Sequence, residues 1–308
     1  VCGIQIVNEA DWDSPHMYEW YDDCIAAIST IDPTVPIIIS DAWNLNRAIE
    51  YALKKNTPYP ECPSCPVIID THYYWAFSDA DKAKSPMQIC EEVYTKLSEL
   101  DGKEGSVVDR GAVQVIIGEY SCVLTEDSWA KRGSIEKQDL VRQFGQTQSR
   151  QWHHRSGGSF FWTWKMDWYP GGEWGFAAQT ENGAIVPPPI YCISDSQRHT
   201  ILQRTKESQH DRMREAVEQH ISYWRNTAPD MQGEHWRYAE GWKRGYADAM
   251  AFFEGNIENS VTGPNKIGCL EIWVLKRVRE SGFRGGFVWE FEQGLRKGIQ
   301  DFYALSEG

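Results

Sequence analysis

No stretch of this sequence approaches the roughly 20 apolar residues that a bilayer-spanning helix needs, and nothing in it resembles a signal peptide. A soluble, globular protein is expected. Basic residues are also scarce, with 31 Lys and Arg against 44 Asp and Glu for a formal charge of −13. Neutralising phosphates takes clustered Lys and Arg, so nucleic acid is excluded as a partner. Repeats and low-complexity tracts are absent. The eight cysteines are scattered, and Cys62-Pro63-Ser64-Cys65 is the one close pair. No second pair or histidine follows it at zinc-ligand spacing, and its setting among Pro58, Pro60, Pro63 and Pro66 is unlike a redox C-x-x-C opening a helix. A loop disulfide or two buried thiols is expected there, with no metal and no cofactor. There is also no initiator Met, since Val1 and Cys2 lead directly into an apolar run. That start reads as a cut internal to a longer chain.

What is present is a chain of 308 residues, 41% hydrophobic, enough for one large core or a core with a smaller domain. Aromatics make up 13%, with 15 Trp. Such rings either fill a core or stack on the C–H faces of sugars. Short β-branched runs alternate with helical segments, the βα pattern of a parallel sheet or barrel. Strands are predicted at 3–8, 35–40, 67–70, 113–118 and 158–163. Helices are predicted from Pro15 to Ser29, with Ser14 as N-cap, from Ser85 to Leu100, with Ser85 as cap and Pro86 in the first turn, and from Asp139 to Arg155. After Pro187-Pro188-Pro189 the texture becomes helical only, which marks a domain boundary. Helices are predicted over 198–226, 234–254 and 267–280, the last preceded by a break at Gly263-Pro264. Trp236, Trp242, Tyr246, Met250 and Phe253 sit near helical spacing as one apolar face.

Two glutamates carry the strongest chemical signal. Glu9 ends Ile4-Gln5-Ile6-Val7-Asn8-Glu9 and Glu119 ends Val115-Ile116-Ile117-Gly118-Glu119, so each apolar strand delivers a carboxylate to its C-terminal end. Two such groups flanking one bond serve as acid and nucleophile of a glycosidase, about 5 Å apart when configuration is retained. Either residue taken alone is more often just a strand-end charge reaching water. Asn8 beside Glu9 is placed to hold a sugar hydroxyl. His72 and Tyr74 have spacing two and so share one face of a third strand end, where a tyrosine hydroxyl can keep a nucleophile ionised. The competing reading of His72-Tyr73-Tyr74-Trp75 is an aromatic cluster packed under a loop. Trp162 and Trp164 also share parity, as subsite floor or as core. Glu290 and Glu292 mimic an acid pair, but two residues apart on one segment they cannot flank a bond.

In order along the chain, Ile6-Val7-Asn8-Glu9-Ala10, Ile38-Ile39-Ser40-Asp41-Ala42-Trp43, Ile69-Asp70-Thr71-His72-Tyr73-Tyr74, Gly118-Glu119-Tyr120-Ser121 and Phe161-Trp162-Thr163-Trp164-Lys165 with Glu173-Trp174-Gly175-Phe176 resemble strands four to eight of glycoside hydrolase family 5 in clan A, within it the fungal exo-β-1,3-glucanases. The resemblance implies an α/β fold comprising the C-terminal part of a (β/α)8 barrel over residues 1–190, followed by a helical extension over 191–308. It implies Glu9 as general acid/base, Glu119 as nucleophile, Asn8 at the sugar 2-hydroxyl, His72 and Tyr74 orienting substrate and nucleophile, Trp162 in preference to Trp164 at the non-reducing glucose, and Trp75 and Phe77 as outer aromatic contacts. The implied activity is retaining hydrolysis of β-glucan, a glucan exo-1,3-β-glucosidase. Another family-5 specificity, for β-1,4- or β-1,6-glucan or mannan, and an inactive glycan-binding fragment are the alternatives. The implied partner is a β-glucan oligo- or polysaccharide, without membrane or nucleic acid. The implied location is extracellular or cell wall. Strands one to three of the barrel are missing, and a separate N-terminal segment would complete it.

Overall fold

Isoleucine or valine opens four of the five parallel strands, because branched side chains pack well on a pleated surface. The computed structural model describes residues 3–167, 172–255 and 265–306. In chain order its elements are β1 (Ile4–Gln5), α1 (Met17–Ser29), β2 (Ile37–Ser40), α2 (Leu45–Lys55), β3 (Val67–Trp75), α3 (Asp79–Ala83), α4 (Pro86–Val93), α5 (Val107–Arg110), β4 (Val115–Leu124), α6 (Glu126–Trp129), α7 (Lys137–Arg155), β5 (Ser159–Phe161), α8 (Phe176–Glu181), α9 (Asp195–Thr227), α10 (His235–Glu254), α11 (Leu270–Ser281) and α12 (Val288–Ser306). Val1, Cys2 and the Gly263-Pro264 break lie outside the described residues. The chain divides into two units, one of Val1–Asn56, Pro60–Glu104 and Val113–Pro187, the other of Thr57–Tyr59, Gly105–Ala112 and Pro188–Gly308.

The first unit is α/β. Its five strands pair in parallel in the order β1-β2-β3-β4-β5, a half-barrel sheet compatible with part of a (β/α)8 barrel. Ile37, Ile39, Val67, Ile69, Val115 and Ile117 point to one face and form a core with Tyr21, Ile49, Ile89, Phe144 and Trp152 from the helices. Their neighbours in sequence point to the other face, where the polar groups gather. Several boundaries differ from expectation. α1 starts at Met17, with His16 as N-cap in the left-handed region and no side-chain cap bond. Ser14 is drawn into the preceding turn instead, its hydroxyl donating to the carbonyl of Asp11. Ser85 does cap α4, in a capping box with Gln88, but Leu97 at φ 67° separates α4 from the 3-10 turn Ser98–Leu100. β3 runs on to Trp75 and β4 to Leu124, well past the predicted ends. Cys62 is exposed and Cys65 buried, with no disulfide between them, so neither reading of that pair holds. The Cys65 thiol donates to the carbonyl of Asp32.

The second unit is helical. Trp242, Tyr246 and Phe253 on α10 are fully buried, but Trp236 is 54% exposed and leaves the expected apolar face. Its ring turns to Phe283 and the Arg237 guanidinium instead. α10 and α12 meet through glycine. A Cβ on Gly241 or Gly245 would stand about 2 Å from the carbonyl oxygens of Phe291 and Leu295, and one on Gly294 or Gly298 equally close to those of Tyr238 and Trp242. Only a hydrogen in place of the side chain permits this approach. Polar ties reinforce it, with the Trp242 indole N–H donating to Asp301 at 2.8 Å and the Tyr246 hydroxyl to the Thr205 carbonyl at 2.8 Å. Glu292 accepts both the Val107 and Val108 N–H groups at the start of α5, and Arg296 forks onto Glu271.

Candidate active site

Asp70, His72 and Tyr74 alternate with the core-facing residues of β3 and so share the polar face, as the spacing of two predicted. Glu119 reaches the same side by a different route. Ile117 faces the core, and strict alternation would send Glu119 there too. The register between β3 and β4 jumps from Thr71 opposite Ile117 to His72 opposite Glu119, so Gly118 is an extra residue in the ladder. The bulge re-aims Glu119 to stand beside His72. Position 118 admits only glycine here, since a Cβ would lie 2.0 Å from Oδ1 of Asp70.

His72 is the hub of the site. Its Nδ1 lies 2.9 Å from Oε1 of Glu9 and 3.7 Å from Oε2 of Glu119, and its Nε2 lies 3.1 Å from Oδ2 of Asp70. The buried Asp70 carboxylate also accepts from the Gln5 side-chain amide at 2.6 Å. Burial by itself pushes His72 down, but the hydrogen bonds to Asp70 and Glu9 and the charge of Glu119 outweigh it and lift its pKa to about 9. At neutral pH the ring is therefore an imidazolium donating on both sides. Tyr74 donates its hydroxyl to Oε2 of Glu119 at 2.6 Å. Burial, then that bond to a carboxylate, raise the Tyr74 phenol far above its ordinary value, so it stays a donor.

Glu9 follows β1 at φ 45°, a left-handed conformation that costs a non-glycine residue about 1–2 kcal/mol. Its side chain is 42% exposed against 21% for Glu119. One carboxylate oxygen of each, with a ring nitrogen of His72, lie within 4.8 Å of one another. Asn8 is exposed and accepts weakly from Gln5 at 3.4 Å. The same three groups have the composition of a metal cradle, but Nδ1 of His72 is occupied by Glu9, and Oε2 of Glu119 by Tyr74.

Aromatic rings border the acid pair. Trp162 and Trp164 are both exposed, Trp162 set edge-on to Trp174 and Trp164 stacked on Phe176. Trp174 and the exposed Phe77 both lie against the Tyr74 ring. Trp75 goes elsewhere: it is 2% exposed, stacked with Tyr73 and edge-on to Phe144 in the core. The physical reason is parity, because position 75 lies on the core side of β3. Sequence reasoning gave no role to Asp70, Gln5 or Trp43, whose exposed ring meets His72 edge-on. An acid two residues before His72 on the same strand face was a usable signal for Asp70; nothing local marks Gln5.

Two carboxylates this close at parallel strand ends have the arrangement that retaining glycosidases use. A family model described as the glucan 1,3-beta-glucosidase 3 C-terminal domain matches residues 205–306. The chain is 28% identical over 308 residues to an uncharacterized glycosyl hydrolase of Saccharomyces cerevisiae, covering 98% of this chain and 54% of that protein. It is 24% identical over 298 residues to glucan 1,3-beta-glucosidase 3 of Schizosaccharomyces pombe, covering 96% and 56%. The chain thus spans about half the length of the curated relatives it matches. These likenesses support a family of the glucosidase type.

Proposed function

We propose that this chain carries the acid pair of a retaining glycoside hydrolase of β-glucan, a glucan 1,3-β-glucosidase. The observation that carries the reading is the 4.8 Å limit on the separation of the Glu9 and Glu119 oxygens. Inverting enzymes hold their two carboxyl groups about 6.5–9.5 Å apart to admit a water, and retaining ones about 5–5.5 Å. The substrate assignment draws on the name of the fission yeast relative and on the resemblance to family 5.

Glu119 attacks the anomeric carbon while Glu9 gives a proton to the departing glycosidic oxygen, so one C–O bond forms as the other breaks. Tyr74 occupies Oε2 of Glu119, which leaves Oε1 to attack. The contact of Oε1 of Glu9 with Nδ1 of His72 holds the Glu9 carboxyl in place for that transfer. In the second step Glu9 takes a proton from water, the water oxygen replaces Glu119 at the sugar, and the product keeps its configuration. Trp162 floors the subsite for the non-reducing glucose, with Trp164 outside it, and Asn8 meets the 2-hydroxyl. β1 and β5 lie at the edges of the sheet, and a further segment pairing with them completes the barrel. Action at the cell wall or outside the cell follows from such a substrate; among the described residues no helix is long and apolar enough to cross a membrane.

The test uses this chain joined to a segment matching the part of its relatives that it does not cover. Glu119→Gly should abolish hydrolysis of a laminarin oligosaccharide, and azide should restore cleavage of an activated aryl β-glucoside with formation of the α-glucosyl azide. Release of α-glucose by the unmutated protein would sink the retaining mechanism. An inert protein that still binds the oligosaccharide would make the site a glycan-binding module.

A further inference from the structure

The second unit holds another convergence of ligating atoms, remote in sequence from the acid pair. Nε2 of His220 on α9 lies 3.0 Å from Oε2 of Glu290 on α12, and Nδ1 of His235 at the start of α10 lies 2.8 Å from the same oxygen. Oε1 of Glu290 accepts the backbone N–H of Glu234 at 2.7 Å, which fixes the carboxylate with Oε2 toward the two rings. We propose that His220, His235 and Glu290 bind one divalent transition-metal ion, with zinc the best match to two imidazoles and a carboxylate.

The geometry is close to what coordination requires. The three donor atoms lie within 4.8 Å of one another. Ligands about 2.0–2.1 Å from a tetrahedral zinc stand about 3.3 Å apart, so each histidine nitrogen would move a few tenths of an ångström from the Glu290 oxygen, with the two nitrogens brought to about that same spacing. The donor set selects among metals: imidazole nitrogen suits zinc, copper, nickel and cobalt, whereas calcium and magnesium take oxygen. The charge balance points the same way. Glu290 is fully buried, and among the described residues no Lys or Arg pairs with it. A buried carboxylate is costly without a positive partner, which a divalent ion supplies.

The surroundings hold the ligands in place. Tyr238 stacks on the His220 ring at 3.9 Å and 18°, and Trp224 and Trp289 border the same ring. Gly233 lies so close that a Cβ there would stand 2.6 Å from the His235 ring and 2.9 Å from Glu290. His220 is 5% exposed but His235 is 25% exposed, so the ion's entry path lies on the His235 side, where a solvent water would be the fourth ligand. With ligands from α9, α10 and α12, the ion acts as a clasp on three helices.

The experiment takes the untagged chain stripped with a chelator, then titrates zinc by calorimetry and cobalt by visible absorption. One equivalent should bind, with the absorption of a four-coordinate cobalt, and saturating zinc should raise Tm by roughly 5 °C or more while magnesium leaves it unchanged. His235→Gln, at the exposed edge, and the near-isosteric Glu290→Gln should each weaken zinc binding by about 100-fold or more and cancel the rise in Tm. Should Glu290→Gln fail to fold, His235→Gln decides alone. A folded wild-type chain that binds neither ion would show a hydrogen-bonded cluster only and overturn the proposal. So would zinc binding that survives His235→Gln yet is lost in His72→Gln.

Discussion

Gly118 and Asp70 lie so close across β3 and β4 that a methyl group on the glycine would stand 2.0 Å from the aspartate oxygen. That one approach holds both the bulge that presents Glu119 and the carboxylate that orients His72. Gly118→Ala is therefore expected to destabilise the first unit by roughly 3 kcal/mol or more, through forced displacement of a buried carboxylate. Gly158→Ala, where an added Cβ meets nothing within 4 Å, is the control and should cost little. Urea unfolding of both variants checks the contrast; equal midpoints would contradict it.

Removing only the Tyr74 hydroxyl isolates its bond to Glu119. Tyr74→Phe should lower kcat on β-glucan oligosaccharides by about 10- to 100-fold, the worth of a hydrogen bond to a charged group. KM should change little, because the contact is made to the proposed nucleophile and not to the sugar. Steady-state kinetics on the completed protein provide the comparison, and a change confined to KM would count against this role.

The raised pKa of His72 sets a pH dependence. Its folded pKa of about 9 lies above the ordinary 6.5, so the stabilisation is fully present below pH 6.5 and is lost as pH rises through about 9. The full shift corresponds to roughly 3 kcal/mol. That figure is an upper one, since Glu9 is 42% exposed and solvent screens its share. The difference in unfolding free energy between the wild type and His72→Gln should shrink from pH 6 to pH 10. A constant difference would show that His72 gains nothing from its carboxylates.

In the second unit, Trp242→Ala should cost about 3–5 kcal/mol, the range for truncating a fully buried tryptophan, and Asp301 loses its indole donor as well. Trp242→Phe keeps most of the volume and should cost near 1 kcal/mol more than packing alone. Denaturant midpoints of the two variants separate packing from the hydrogen bond. Glucan specificity should be unchanged in both.

The placement of the candidate site's residues was partly legible because they obey local rules. Glu9 and Glu119 stand out as acids ending apolar runs, and the spacing of His72 and Tyr74 puts them on one face whatever the fold does around them. Glu119 was nevertheless legible for an incomplete reason: simple alternation with Ile117 sends it to the core, and only the bulge at Gly118 reverses that. A glycine inside a strand pattern is the one signal of such a bulge. Trp75 went astray although the spacing that pairs His72 with Tyr74 already puts it on the opposite, core-facing side of β3. Ser14 and Pro15 have the composition of a helix start, yet the turn onto Asp11 consumed the serine. Trp236 shows the limit of helical spacing, which groups residues on a face without saying where that face ends. His220, His235 and Glu290 come from three helices, and no local pattern connects them.

The glycines of α10 and α12 make the pair behave like a vernier. On each helix the two glycines are four residues apart, and sliding one helix by a single position would drive a bulky residue into a space sized for hydrogen. The nearest other register that keeps a glycine at the contact is a slip of four residues, about 6 Å along the axis. Such a slip would carry Asp301 away from Trp242 and Glu290 away from both histidines. The helices therefore have one indexed position, and the two polar contacts certify which notch is occupied.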